Sequence, residues 1–135
     1  MFHISRKGDY AVRGMVFLAG RPRGEISMLK DIAASVDVPS ALLAKIFQDL
    51  SRVGFVRSYR GAGGGFELAR PAGRISLLEI IEAIDGPIAM NRCIVNRGIC
   101  GREHFCGVHP VWMQLQQKMR NDLRKVSLLK LARER

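Results

Sequence analysis

The sequence has few acidic residues and no long apolar run. No stretch approaches the roughly 20 apolar residues that span a bilayer, and residues 1–6 carry no apolar run that could belong to a signal peptide. We therefore expect a cytoplasmic protein without a membrane partner. Twelve Asp and Glu stand against 22 Lys and Arg, so the 135-residue chain has a formal net charge of +10. This excess favours a polyanionic partner, although a merely soluble basic protein would share it.

The signatures of catalysis are also missing. The sequence shows no nucleophile–base pair, no carboxylate dyad and no phosphate-binding loop. The glycine-rich tract at residues 61–65 lacks both the helix that should follow a phosphate loop and its Lys-Ser/Thr pair. We therefore expect neither an enzyme nor a small-molecule substrate.

Cysteine is scarce, and its three copies are clustered. Cys93, Cys100 and Cys106 are the only cysteines in the chain. In a reducing cytosol, clustered thiols are more often ligands or reactive groups than disulfides. Thiolates suit iron–sulfur clusters or zinc, and these spacings are longer than the Cys-x-x-Cys knuckles usual for structural zinc. The pattern favours a [2Fe-2S] or [4Fe-4S] cluster and leaves open zinc, buried free thiols and a redox disulfide. A cluster site needs a fourth ligand, and His109 is the local candidate.

The spacing of apolar residues predicts a helix-turn-helix in the first half of the chain. Helices are predicted over residues 8–19, 28–35 and 39–52, with Ser27 as the N-cap of the second and Pro39 in the first turn of the third. The second and third helices are joined by about three residues, as in a helix-turn-helix. The residues predicted to be buried in the third helix are Leu42, Leu43, Ile46, Phe47 and Leu50.

The outer face of the third helix is the candidate DNA-reading surface. Ser and Gln can read base edges, Lys can reach guanine or phosphate, and Ala can touch a thymine methyl group. An ordinary solvated helix face would look similar, so the pattern alone leaves both interpretations open. The exposed candidates are Ser40, Ala41, Ala44, Lys45 and Gln48.

A basic hairpin follows the helix-turn-helix, which predicts a winged helix. Strands are predicted over residues 55–60 and 66–69. Arg57, Tyr59 and Arg60 precede the tip, where arginine could enter a minor groove. Glycines allow the backbone to approach phosphate closely, and the candidates are Gly61, Gly63 and Gly64. The alternative is a flexible hairpin with solvated arginines.

The second half predicts a short helix, a loop and a long helix. Ser76 and Glu79 form a capping box for a helix to residue 84, which Gly86 and Pro87 end. The long helix is predicted over residues 110–126, and Ser127 is a predicted cap for a helix over residues 128–133. The expected organisation is a DNA-binding domain (1–87), a cysteine loop (88–109) and a dimerisation helix with its tail (110–135), in one structural unit. The predicted dimerisation stripe is Val111, Leu115, Met119 and Leu123.

These segments together resemble the Rrf2 (Rrf-two) family of bacterial transcription regulators. The resemblance extends over essentially the whole chain and implies a mainly helical winged-helix fold with a small β wing. It also implies a homodimer with crossed C-terminal helices, which binds pseudo-palindromic double-stranded DNA operators. A cluster whose presence, oxidation or nitrosylation alters DNA affinity is a further implication. The matching segments are residues 4–13, 30–34, 57–66, 75–87 and 110–112.

The resemblance also assigns cluster ligands. The three cysteines match the family's ligand cysteines, and His109 matches the fourth ligand of the members that regulate iron–sulfur assembly. Asp9 lies where nitric-oxide-sensing members have an aspartate that reaches the cluster of the other subunit. Alternatively, Asp9 is an acidic residue favoured by the helix dipole. Compared with the assembly regulators, the first two cysteines are separated by six residues instead of five, and polar recognition-helix residues are replaced by Ala41, Ala44 and Lys45.

Overall fold

The computed structural model describes residues 3–89 and 106–134. The described part is mostly helical with a two-stranded antiparallel sheet, which confirms the predicted fold class. None of the described helices is long and apolar enough to cross a membrane. The elements are α1 (Arg6–Ala19), α2 (Leu29–Val36), α3 (Ser40–Arg52), β1 (Val56–Tyr59), β2 (Gly65–Leu68), a 3₁₀ turn (Ala72–Arg74), α4 (Leu77–Asp85), α5 (His109–Arg124) and α6 (Leu128–Arg133).

Helix α1 begins two residues before the predicted start because Ser5 caps it. The Ser5 hydroxyl accepts a hydrogen bond from the Gly8 amide at 2.9 Å. The Ser5 amide and hydroxyl both donate to the carboxylate of Asp85, the last residue of α4. A Cβ on Gly8 would lie 2.8 Å from Asp85 Oδ2, so glycine permits this close approach. The start of α1 is therefore joined to the end of α4.

The predicted N-cap of α2 is wrong. Met28 occupies the N-cap position without a side-chain hydrogen bond, and Ser27 is buried. The Ser27 amide donates to Phe66 O at 2.9 Å, and the Phe66 amide donates to Ser27 O at 2.8 Å. Burial requires both backbone groups of Ser27 to be paired, and the edge of β2 supplies both partners. Ser27 therefore extends the wing sheet instead of capping the helix.

The main core lies where α3 packs against α1 and the wing. Phe47 is fully buried and meets Phe66 edge-to-face, with ring centroids 4.9 Å apart. Burying an aromatic side chain of this kind contributes about 1.5–3 kcal/mol. The predicted burial of α3 is confirmed for Leu43, Ile46, Phe47 and Leu50, whereas Leu42 is only partly buried.

Helix α3 begins at Ser40, so Pro39 was wrongly predicted in the first turn. Pro39 instead occupies the N-cap position, where the helix needs no backbone N–H from it, so proline is tolerated there as well. Asp37, in the turn before it, adopts a left-handed backbone conformation with φ of 56°. Aspartate tolerates this conformation better than most residues do. This turn sets the direction of α3 relative to α2.

The C-terminal helices return to the main core. The capping box of Ser76 and Glu79 is confirmed, as is the Ser127 cap of α6. Leu128 is fully buried, and its amide donates to Ile75 O at 2.9 Å. Helix α5 begins at His109, one residue before the predicted start, since Pro110 fits the first turn. It ends at Arg124 rather than at residue 126, because the chain turns there towards the Ser127 cap.

Candidate DNA-binding surface and cysteine loop

Helix α3 presents its predicted reading face to solvent. Ala44 is partly exposed. Opposite this face, the helix is anchored by its buried apolar side chains, so its orientation is fixed by the main core. The exposed positions on this face are Ser40, Ala41, Lys45 and Gln48.

An ion-pair network that sequence reasoning missed joins α3 to α1. Lys7 Nζ lies 2.8 Å from Asp49 Oδ2, and the Arg52 guanidinium lies 2.7 Å from Asp49 Oδ1. The hydrogen bond from Lys7, helped by the charges of Lys7 and Arg52, lowers the pKa of Asp49 against the opposing effect of its partial burial. Asp49 therefore stays ionised at neutral pH and holds α3 against the first turn of α1. The pairing of Arg52 with Asp49 follows from a three-residue helix spacing, but that with Lys7 depends on tertiary packing.

Glu67 organises the wing and was also missed. In the β1–β2 register Glu67 lies opposite Arg57, and its Oε1 is 3.8 Å from the Arg57 guanidinium. The Tyr59 hydroxyl donates to the same oxygen at 2.6 Å. This hydrogen bond, with partial burial and the negative charge of Glu67, raises the pKa of Tyr59. Two of the predicted wing contacts are thus already held by one carboxylate.

The wing tip combines an exposed arginine with glycines that the turn requires. Gly61 has φ of +93°, which side chains other than glycine rarely adopt. A Cβ on Gly64 would lie 2.4 Å from Tyr59 O, so that position also needs glycine, whereas Gly63 has open space around it. Arg60 is exposed and has no ion pair with any residue in 3–89 or 106–134. Its charge is therefore less compensated than that of Arg57.

We expect Arg60→Ala to weaken specific DNA binding by about 1–3 kcal/mol, the range for a positioned base contact. The reason is that Arg60 stands uncompensated at the mouth of a narrow tip. The measurement is a titration of a selected duplex at near-physiological salt. Arg57→Ala is the matched comparison and should weaken binding less, because Glu67 already faces Arg57. Wild-type affinity in Arg60→Ala would contradict this role.

The structure brings two of the predicted cluster ligands onto one turn. Cys106 is partly exposed just before α5, and His109 opens that helix. The His109 amide donates to Cys106 O at 3.3 Å. Cys93 and Cys100 lie outside the described residues. Within the described ranges, no group of three or more His, Cys, Asp or Glu side chains could hold a metal ion.

The other fourth-ligand candidate lies on α1. Asp9 is exposed, and its Oδ2 lies 2.9 Å from the Arg13 guanidinium one turn later. Arg13 also stacks over Tyr10, 5.4 Å from the ring centroid. To act as a ligand, Asp9 would have to leave its ion pair with Arg13. The ion pair agrees with the alternative interpretation, in which Asp9 is an acidic residue near the start of a helix.

Polar contacts anchor the chain where it enters the cysteine loop. The Ile88 amide donates to Glu82 Oε2 at 3.0 Å, and the Arg120 guanidinium pairs with the same carboxylate. The Gln116 side-chain amide donates to Ile88 O, and Gln116 is buried. The start of the loop is thereby attached to both α4 and α5.

The predicted dimerisation stripe divides into two halves. Met119 and Leu123 are partly buried against a second core of Leu78, Ile81 and Ile88 within the same chain. Val111 and Leu115, by contrast, remain 47% and 44% exposed. Only the N-terminal half of the stripe is therefore fully available to another molecule.

Comparisons with known proteins agree with this architecture. The Rrf2 family model, described as an iron-dependent transcriptional regulator, matches residues 4–134. A protein of Mycobacterium tuberculosis, provisionally described as an HTH-type transcriptional regulator, is 36% identical over 129 residues, which are 96% of this chain and 80% of the relative. The transcriptional regulator IscR of Xenorhabdus nematophila is 33% identical over 130 residues, which are 96% of this chain and 79% of that protein.

A solved structure extends the similarity to three dimensions. CymR, the global cysteine regulator of B. subtilis, superposes with a TM-score of 0.81 at 29% identity, covering 100% of this chain and 99% of CymR. The winged helix, with its exposed α3 face and basic hairpin, is the part of such a fold that contacts DNA. Since the family match extends over residues 4–134, the chain belongs to the Rrf2 family of transcriptional regulators.

Proposed function

We propose that this regulator binds operator DNA as a homodimer in the cytoplasm, and that an iron–sulfur cluster modulates this binding. The observation that carries the proposal is the placement of Cys106 and His109 on one turn at the start of α5. Residues 1–87 would bind DNA, residues 88–109 would hold the cluster and residues 110–135 would make the dimer. The 33% identity to a regulator named IscR and the iron-dependent description of the family support the same function.

The donor set suits such a cluster. Three thiolates with one imidazole are ligands that iron–sulfur clusters accept. The bound cluster would supply a centre that reacts with oxidants or nitric oxide. Cys106 is partly exposed at the start of α5, so its thiol is accessible to such a group. The proposed ligands are Cys93, Cys100, Cys106 and, as the fourth, His109.

The contacts around Ile88 would connect the cluster loop to the DNA-binding unit. Glu82 and Gln116 hold Ile88 at the start of the loop. Asp85, at the end of the same helix as Glu82, holds the Ser5 cap of α1. A change in the loop could therefore move α1 and α3 relative to the partner's recognition helix. The fit of a dimer to two half-sites is sensitive to such a change.

The proposed DNA surface combines the α3 face and the wing. The helix would enter a major groove, while Arg60 would enter an adjacent minor groove and the tip backbone would approach phosphate. Glu67 would keep Tyr59 and Arg57 in place. The proposed contacts are Ser40, Ala41, Lys45, Gln48, Arg57, Tyr59, Arg60, Gly61, Gly63 and Gly64.

Selection of duplexes from a random library by the purified protein tests the DNA-binding part of this function. We expect an inverted repeat, with half-sites about 10–10.5 base pairs or a multiple apart from centre to centre, because a two-fold dimer reads two equivalent sites. The same selection with Gln48→Ala should enrich a sequence altered within each half-site. Recovery of no common sequence by the wild-type protein would contradict specific operator binding.

A zinc site or a direct thiol switch on the same cysteines is the alternative function. The observation in its favour is the full-length structural similarity to CymR, which is named as a cysteine regulator. A colourless protein with bound zinc, or one whose DNA affinity follows thiol oxidation without iron, would favour this alternative.

We expect His109→Ala to lower cluster content and shift the visible spectrum, whereas Asp9→Ala should leave both unchanged. The reason is that His109 lies on the same turn as Cys106, while Asp9 is engaged by Arg13. Iron, sulfide and absorbance are measured on both variants after anaerobic purification. If only Asp9→Ala loses the cluster, the fourth ligand is better explained as Asp9 reaching the cluster of the other subunit. If neither variant changes, the fourth ligand does not come from these two residues.

A further inference from the structure

A cavity beside the wing is used by neither the DNA-reading face nor the cysteine loop. It has a volume of about 280 Å³ and lies between the end of α1, strand β2, the 3₁₀ turn and α6. That volume is close to the lower end of the roughly 300–1,000 Å³ typical of small-molecule sites. The cavity is therefore large enough for a small organic molecule.

The walls of the cavity are aliphatic. Leu18 comes from α1, Leu68 from β2 and Leu129 from α6, and Pro71 and Ala72 complete the wall. Leu129 is among the exposed large apolar residues of the described chain. Leu68 is partly exposed, whereas Leu18 is buried. An apolar occupant would therefore cover Leu68 and Leu129, which the fold leaves partly in water.

Of the charged residues that line the cavity, one arginine has no carboxylate partner within the part of the chain that the structure describes. Arg21 and Glu25 pair with each other at 2.6 Å, and Glu67 is engaged by Tyr59 and Arg57. Arg23 lines the cavity but makes no ion pair with any described residue. A guanidinium beside an aliphatic wall is complementary to a carboxylate on a short aliphatic body, since guanidinium can bind carboxylate through two parallel hydrogen bonds.

We propose that this cavity is an effector site for a small branched aliphatic carboxylate, and that its occupancy alters DNA affinity. The coupling would pass through Glu67, which both lines the cavity and holds Tyr59 and Arg57 in the wing. A ligand that alters the position of Glu67 alters the wing, which makes the two sites thermodynamically linked. The regulatory part rests on the proposed contact between wing and DNA, whereas the binding part does not.

Binding is tested with 4-methylpentanoate, by chemical-shift changes in ¹H–¹⁵N spectra of the full chain. We expect shifts at the cavity residues, and binding weaker by about tenfold or more for the uncharged 4-methylpentanamide and for Arg23→Gln, since each removes a charge-assisted contact. Arg133→Gln, an exposed arginine of α6 outside the cavity lining, is the matched control and should bind like wild type. Equal binding of acid and amide, unchanged binding in Arg23→Gln, or no shifts at millimolar ligand would overturn the site.

The effect on DNA is measured separately. Operator affinity is titrated with and without 4-methylpentanoate for the wild type and for Arg23→Gln. We expect a change in the wild type that Arg23→Gln lacks. Spectral binding without any change in operator affinity would overturn the coupling. Failure of the protein to bind any operator would count against the proposed function, while the spectra would still decide whether the cavity takes the ligand.

Discussion

Leu115→Asp is expected to convert the protein into monomers that lose specific operator binding. Leu115 is exposed in the single chain, as is Val111 one turn earlier on the same face of the helix. If these side chains meet a second copy, an aspartate there would be buried without a partner, which costs several kcal/mol. A monomer would contact one half-site only, so its affinity should fall towards the non-specific level. Light scattering and a titration of operator measure the two effects.

The matched control for this change is Gln117→Asp. Gln117 is exposed on the same helix, and because a helix turns by about 100° per residue it faces away from Leu115. We expect this variant to remain dimeric. Met119→Asp is less informative, because Met119 packs against α4 inside the subunit and its loss would also destabilise the fold. A monomeric wild type at micromolar concentration, or a dimeric Leu115→Asp protein, would contradict the proposed interface.

Cys106→Ala is expected to abolish the visible absorbance of anaerobically purified protein and to remove most of its iron and sulfide. The reason is that the chain has only three cysteines, so the proposed four-ligand site already uses every thiolate available and no other thiol can replace Cys106. Since Cys106 is only partly buried, we expect the melting temperature of the apoprotein to be nearly unchanged.

Val108→Ala provides the control for Cys106→Ala. Val108 lies between Cys106 and His109 and is exposed, so its truncation should change neither the fold nor the cluster. Loss of the cluster in Val108→Ala would indicate that the variant disturbs the loop rather than a ligand. Full iron and sulfide in Cys106→Ala would show that Cys106 is not a ligand.

Local signals predicted the elements well. The Ser76–Glu79 capping box needs only a three-residue spacing, and the structure has it as predicted. The prediction that Ser27 caps α2 failed because the role of Ser27 depends on Phe66, which is far away in the sequence. A serine before an apolar helix is a good cap in isolation, but the edge of a β-strand offered its backbone two hydrogen bonds at once.

The supporting contacts were harder to predict than the surface residues. Arg60 and its neighbours stand out by composition, whereas Glu67 becomes important only through the strand register that places it beside Arg57. The α5 stripe shows a related limit. The helical spacing of its apolar residues predicts that they are buried, but it does not say whether the same chain or a second copy buries them. In the structure, Met119 and Leu123 pack against α4, whereas Val111 and Leu115 face solvent.

The most direct test of cluster-modulated DNA binding compares two halves of one protein sample, one with the cluster and one without it. The protein is purified anaerobically, its iron and sulfide are quantified, and its affinity for the selected operator is measured before and after the cluster is removed by a chelator and an oxidant. We predict a coloured protein containing both elements, and an operator affinity that changes by about 5- to 150-fold, the usual range of coupling between two sites. A protein without iron and sulfide, or an operator affinity that is the same in both halves, would contradict it.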